Sequence, residues 1–439
     1  MNLFRKNNFQ EESKSKIFVW TLFDFGNTSY SIVIVTFLFA VYFKNVVADG
    51  KPIGDFYWSL GTSISMLITA IISPVLGAIA DYSAGKKRLL LFFTLLCIGA
   101  TSMLYFVGAG DIYLALLLFI LANIGFEAGL VFYDSFLPEI AKPKNYGRVS
   151  GYGFAMGYLG SLTILAIAYP FISRNLIKET FPLAALFFLV FSVPLFIFLK
   201  DNRKEVTPDR SYVMIGISRV VTTIKNLRYY KNLALFLIAF FFYIEGVNTV
   251  IYFSGNYAST TLHFSIQELI IFFLIVQTTA IFGAVLFGIL SDSIGQKRSI
   301  IISLVIWIFT ILLAYYTSAE DAFLNKVLSG ISGISPAELM KYSFYTVGLL
   351  AGSVMGATQS TSRSFMTALV PLDKKTEFFG FFSLFGKSSA ILGPLVFGLA
   401  SYITGSQRIA ILTIIGFFLL GMIILFFVKE PPKAIRIKI

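Results

Sequence analysis

The chain has one cysteine, one histidine, three tryptophans and only 13% charged residues among 439. Each scarcity excludes something. The single cysteine, Cys97, has no partner for an internal disulfide. With one histidine, His263, and no cluster of ligating side chains at metal spacing, no metal site is expected. There is no phosphate-cradling glycine loop and no Ser/His/Asp arrangement, so the chain reads as neither an ATP-driven pump nor an enzyme, and no cofactor is expected. Charge at about half the roughly 25% of a soluble domain leaves too little polar surface to face water.

What is present is hydrophobic. Apolar residues make up 57% of the chain and the mean hydropathy is +0.81. Residues 56–80, 89–110, 149–173, 180–199, 269–291, 299–319 and 409–428 are uncharged runs, each long enough for the ~20 residues of a membrane-spanning helix. Segments 17–43, 112–137, 232–262, 342–369 and 378–407 are as long and carry only one or two charges. Twelve spans are therefore expected in an all-α membrane protein. The polar N-terminal tail leads directly into a full span without a short apolar region and a small-residue cleavage site, so no cleavable signal is expected.

The formal net charge of +12 invites a nucleic-acid reading, but its distribution opposes one. With twelve spans and the N-terminus inside, 26 of the 35 Lys and Arg fall on one side and seven on the other, which is the bias that orients membrane proteins. Both termini are then expected in the cytoplasm, and no nucleic-acid partner is expected. The expected layout is a tail (1–16), six spans (17–199), a central cytoplasmic loop (200–231), six more spans (232–428) and a second tail (429–439).

The two halves repeat. "GAIADYSAGKKR" at 77–88 parallels "GILSDSIGQKR" at 288–298, each with an acid four residues after the first glycine (Asp81, Asp292) and a glycine and basic pair beyond. "GRVSGYGFAMGYLG" from Gly147 parallels "GFFSLFGKSSAILG" from Gly380, with Ser150/Ser383, Gly153/Gly386 and Gly160/Gly393 in one register. In the first span, Asp24, Asn27 and Thr28 have counterparts in the seventh: Glu245, Asn248 and Thr249. Two parallel six-helix halves are the layout of major facilitator transporters, with substrate near the midplane between them.

The loop Gly77-x-x-x-Asp81 followed by Gly85-Lys86-Lys87-Arg88 resembles the signature of the major facilitator superfamily. A finer resemblance, to the "unknown major facilitator" family that includes the yeast autophagy-related vacuolar amino-acid effluxers, rests on "WTLFDFGNTSY" (20–30), "VFYDSFLPEIA" (131–141) and "TSRSFMTALVPLDKKTEFFGFF" (361–382). "YIEGVNTV" in the seventh span is similar to a Y-x-D-G-V-x-T pattern, with Glu245 in place of Asp. The resemblance covers nearly the whole chain and implies the major facilitator fold, secondary transport, and an amino acid as the best-supported substrate class.

Charge at a helix centre costs about 2.5 to 3.5 kcal/mol on insertion scales, so a membrane chain keeps it where it pairs or faces a polar cavity. The charged residues expected inside the bundle are Asp24, Glu127, Asp134, Glu245, Arg363 and Lys387. The i, i+3 spacing of Asp24 with Asn27, and of Glu245 with Asn248, puts each acid and amide on one helix face, suited to a substrate amine or a coupling proton. Asp24 also lies near enough to the cytoplasmic rim to be structural. Arg363 and Lys387 suit a substrate carboxylate, and equally an acid of a neighbouring helix. Glu127 sits between Gly125 and Gly129, and Tyr30 is a further candidate for ligand contact. Asp81, Lys86, Lys87, Arg88, Asp292, Lys297 and Arg298 are expected gating residues, with plain anchoring the alternative for the basic ones. The expected function is proton-coupled transport of a small polar solute, an amino acid first, by a monomer in a bacterial plasma membrane. Efflux of a drug or other organic solute, and a non-transporting receptor, are the alternatives.

Overall fold

In a computed structural model, residues 13–83, 85–200, 211–319, 322–389 and 392–431 are described. The expected tails and central loop therefore lie partly outside the described residues. The twelve long helices are α1 (Lys14–Tyr30, carried to Val47 through π-helical turns), α2 (Ile53–Ser83), α3 (Lys86–Met103), α4 (Ile112–Asp134), α5 (Tyr146–Ser173), α6 (Thr180–Phe198), α7 (Lys231–Thr260), α8 (Ile266–Ile294), α9 (Gln296–Thr317), α10 (Pro336–Leu369), α11 (Lys375–Ser388, resuming at Leu392–Thr404) and α12 (Thr413–Phe427). Odd helices begin at one end of the bundle, the base, and even helices end there. Among the described residues there is no strand.

Eleven of these helices are long and apolar enough to cross a membrane. The exception to the expected twelve is α10, which has 34 residues but is dense in Gly, Ser and Thr and carries Arg363. It packs against α5, α7, α8 and α9, and nearly every residue from Val354 to Thr367 is buried. A helix enclosed by other helices can carry polar residues that lipid would not tolerate.

The halves share one packing plan. The pairings α1·α5, α1·α6, α2·α4, α3·α4 and α3·α6 recur as α7·α11, α7·α12, α8·α10, α9·α10 and α9·α12. The sequence echo has the same register in space: a side chain at Gly160 would meet Thr28, and one at Gly393 would meet Thr249. Two seams, α2 with α11 and α5 with α8, join the halves. Small residues let the backbones close there. A Cβ at Gly77 would strike the carbonyl of Thr376, one at Gly380 the backbone of Ser73 and Pro74, and one at Gly147 or Gly288 the other helix of its seam.

The connection between halves, expected as a polar loop, holds a helix at Tyr212–Lys225 that packs on α2 through Gly216 against Val75 and Ile79. Its signal was an apolar stripe at Val213, Ile217, Val221 and Ile224, short of a membrane span and so passed over. At the far end, Phe323–Ser332 forms a short helix between α9 and α10.

Gly77→Val should lower the melting temperature in detergent, with a cost of about 1–3 kcal/mol for overpacking a closed seam. Gly99→Ala, at a helical glycine with nothing within 4 Å of an added Cβ, should leave it unchanged or raise it slightly. Equal melting of the two variants would contradict the seam packing.

Candidate functional site

Charged residues from both halves meet between the halves, just inside the base. Asp24 of α1, Asp134 at the end of α4 and Ser150 of α5 come from the first half, and Arg363 of α10 comes from the second. Arg363 Nη1 lies 3.2 Å from Asp24 Oδ2 and 3.0 Å from Asp134 Oδ1. Its Nε donates to Ser150 Oγ at 3.0 Å and its Nη2 to the Ser150 carbonyl at 2.9 Å. The guanidinium also stands 4.2 Å from the Phe154 ring centroid and 4.8 Å from that of Trp20. Trp20 stacks on Tyr133 at 4.7 Å, and the two exchange hydrogen bonds, each ring donor reaching the other's carbonyl. Arg363 is 3% exposed, so its planar fork is fully engaged by the protein. Gly153 is required here, since a Cβ would lie 2.6 Å from Asp24 Oδ2.

A second pair crosses between the halves close by: Lys387 Nζ of α11 is 2.5 Å from Glu127 Oε2 of α4. Of the six charged residues expected inside the bundle, the first half supplies three acids, and the second supplies both cations and Glu245. Five of the six are paired across the interface. Buried charge is tolerated on that condition.

Glu245 is the sixth and has a different setting. It is fully buried in the second half, where Oε1 accepts from the Gly393 N–H and Oε2 has no hydrogen-bond partner among the described residues. Asn248 donates to Ser389 Oγ at 3.4 Å, on the same helix as Gly393. Asp24 and Glu245 thus occupy matching positions but meet different partners. Asn27 is buried, and Nδ2 has no hydrogen-bond partner among the described residues. Tyr30 donates to Asn123 Oδ1 at 3.4 Å, and Asn123 donates to Ser65.

At the base, the two repeated acids close the two seams in the same way. Asp81 accepts from the N–H groups of Thr376 (3.1 Å) and Glu377 (2.8 Å), the second and third residues of α11. Asp292 accepts from Gly147 (2.8 Å) and Arg148 (3.1 Å), the second and third residues of α5, and from Arg148 Nε at 2.8 Å. Neither helix start has a side-chain cap of its own. Each acid therefore caps a helix of the other half, placing negative charge on exposed N–H groups and the positive end of a helix dipole. Glu139 of the first half adds a bridge, pairing with both Lys86 and Lys375.

The expected basic gating residues divide. Lys86 pairs with Glu139 and donates to the Ser135 carbonyl at 3.2 Å. Lys87 donates to the Leu199 carbonyl at 2.5 Å, and Lys297 to those of Phe426 and Val428 at 2.7 and 2.8 Å. Both lysines cap helix ends in their own half, the anchoring alternative. Arg88 and Arg298 lie exposed. Sequence reasoning missed Arg148, Glu139, Lys375 and Glu377 as members of the base clamp. Arg148 follows Gly147 in a recognised repeat, but nothing local marks the other three as partners across halves. A cavity of about 60 Å³ lies inside the second half, lined by Tyr257, Trp307, Phe344, Met355 and other mainly apolar residues, and none of the expected site residues lines it.

A family model described as "Vacuole effluxer Atg22 like" matches residues 57–147 and 142–435. An uncharacterized MFS-type transporter, YxiO, from Bacillus subtilis is 31% identical over 94% of this chain and 95% of its own length. Autophagy-related protein 22 from Kluyveromyces lactis is 26% identical over 79% of this chain and 74% of its own. Among solved structures, the proton:xylose symporter XylE bound to 6-bromo-6-deoxy-D-glucose aligns with a TM-score of 0.70 at 14% identity, over 95% of this chain and 96% of that one. A bacterial homologue of the iron transporter ferroportin in an outward-facing state aligns at 0.66 and 14%, over 94% and 98%. At such identities the structures show the fold alone.

Arg363→Gln should be strongly destabilising, by about 3–5 kcal/mol, because it leaves Asp24 and Asp134 buried without their cation. Adding Asp24→Asn should recover part of that loss, with a coupling of roughly 1–3 kcal/mol in a thermal-melt double-mutant cycle. Strict additivity would show that the pair does not interact.

Proposed function

Because the chain belongs to the vacuole effluxer Atg22-like family of major facilitator transporters, we propose that it carries a small zwitterionic solute, an amino acid or a close relative, by proton-coupled alternating access. The observation that carries this reading is the Arg363 site, where a guanidinium is held by two carboxylates of the opposite half. A solute carboxylate can take the bidentate fork of Arg363 while its ammonium takes a released carboxylate, Asp24 or Asp134. Either exchange loosens the ion pairs that join the halves and favours a change in their relative position. The solute is thus coupled to the conformational change through differential contacts, as any ligand that shifts such an equilibrium must be.

Glu245 is the proposed proton carrier. Its carboxyl is buried with one oxygen on a backbone N–H and, among the described residues, no cation beside it, a setting that suits taking up and releasing a proton. The pairs Asp24–Arg363 and Glu127–Lys387 are the proposed solute gate, and Asp81 and Asp292 the proposed base gate. The excess of Lys and Arg at the base supports a cytoplasmic base, and the relative from Bacillus subtilis supports a bacterial plasma membrane. A second reading, efflux of an apolar organic solute, draws on the apolar cavity of the second half.

The test is flux in proteoliposomes under an imposed pH gradient, with zwitterionic amino acids, organic anions and lipophilic cations offered in parallel. Amino-acid flux driven by the gradient is expected. Flux of only lipophilic solutes would favour the second reading, and no flux of any solute would contradict both. Glu245→Gln should abolish the response to pH while retaining solute exchange at equal pH. Unchanged pH-driven flux would remove Glu245 from the proton role.

A further inference from the structure

The helix at Tyr212–Lys225, in the segment joining the halves, has three distinct sides at about 100° per residue. One rests on the protein: Gly216 lies against α2, while Thr223 donates to Glu377 of α11 and Arg219 Nε stands 3.7 Å from the same carboxylate. A second side, Ser218, Thr222 and Lys225, is polar and exposed. The third, Val213, Met214, Ile217, Val221 and Ile224, is aliphatic and exposed, from 41% at Val221 to 63% at Met214.

This inverts the usual arrangement. A helix on a water-facing surface turns its apolar side to the protein. Here the protein receives a glycine, an arginine and a threonine, and the aliphatic side faces outward, so the medium beside it is not water. The helix ends on Lys225, and exposed Leu227 and Tyr229 follow it, as do Arg228 and Lys231. An apolar side, an adjacent polar side and flanking basic groups are the pattern of a helix lying in a membrane surface. The helix packs on α2 and bonds to α11, so it lies across the seam that Asp81 closes.

We propose that this helix is seated in the membrane interface at the base, with its aliphatic side in the acyl boundary and Lys225 and Arg228 on anionic lipid headgroups. The occupant is the lipid leaflet. Basic residues concentrated at the base favour anionic headgroups over neutral ones.

The test uses the full chain with Val221→Cys or Thr222→Cys, labelled with an environment-sensitive dye. The native Cys97 is buried, so the unsubstituted protein is the labelling control. Each is reconstituted in vesicles of phosphatidylcholine alone or of an equimolar mixture with phosphatidylglycerol, and quenched with iodide. Quenching at position 221 should be several-fold weaker than at 222. The shielding at 221 should grow in the mixture, and Lys225→Gln with Arg228→Gln should cancel that growth. Equal quenching at both positions would overturn the proposal. So would shielding at both, or shielding that rises with the protein-to-lipid ratio, either of which would mean a second copy or a protein partner covers the helix. Shielding indifferent to phosphatidylglycerol would overturn the headgroup assignment.

Discussion

Two of the helices that begin without a side-chain cap, α5 and α11, receive one from the other half. That exchange organises the base. Asp81 and Asp292 occupy equivalent places in a repeated sequence and bind equivalent N–H groups at the second and third residues of α11 and α5. A capping carboxylate contributes about 0.5–2 kcal/mol. Two such caps, with close glycine packing beneath them, bias the base toward closure by a few kcal/mol. That is the scale of an equilibrium a ligand can shift.

The charges just inside the base follow another rule. Acids on one half meet cations on the other, at Arg363 with Asp24 and Asp134 and at Lys387 with Glu127. Such pairs are costly to bury and more costly to break one partner at a time. They align the halves, and they are bonds that a solute of both signs is able to replace. Glu245 stands apart from this set, inside its own half on the Gly393 N–H, where protonation would change the charge without breaking an inter-half pair.

Much of the fold was legible because its cause is local. Uncharged runs of membrane length mark most of the spans, and repeated Gly–Asp and Gly–Ser blocks mark the seams. Gly77, Gly147, Gly288 and Gly380 were visible as repeats before their role in close packing was known. Arg363 and Asp134 were recognised as buried charges, but their pairing joins positions 229 residues apart and has no local signature. Glu139, Lys375 and Glu377 lie among ordinary base charges, and only the closed seam distinguishes them. The connecting helix was missed for a physical reason: its apolar stripe is too short to span a membrane, and the surrounding charge reads as a solvated loop. Lys87 and Lys297 looked like gate members because they adjoin the acids, yet helix ends in their own halves engage them.

The measurement closest to the central claim is a pulsed spin-label distance across the base, between labels at Arg88→Cys and Arg298→Cys, exposed positions on opposite halves. It should be made with the capping acids intact and with Asp81→Asn and Asp292→Asn together. The account predicts one short-distance population in the first case and a shift toward longer distances in the second. An unchanged distribution after both acids are neutralised would contradict it.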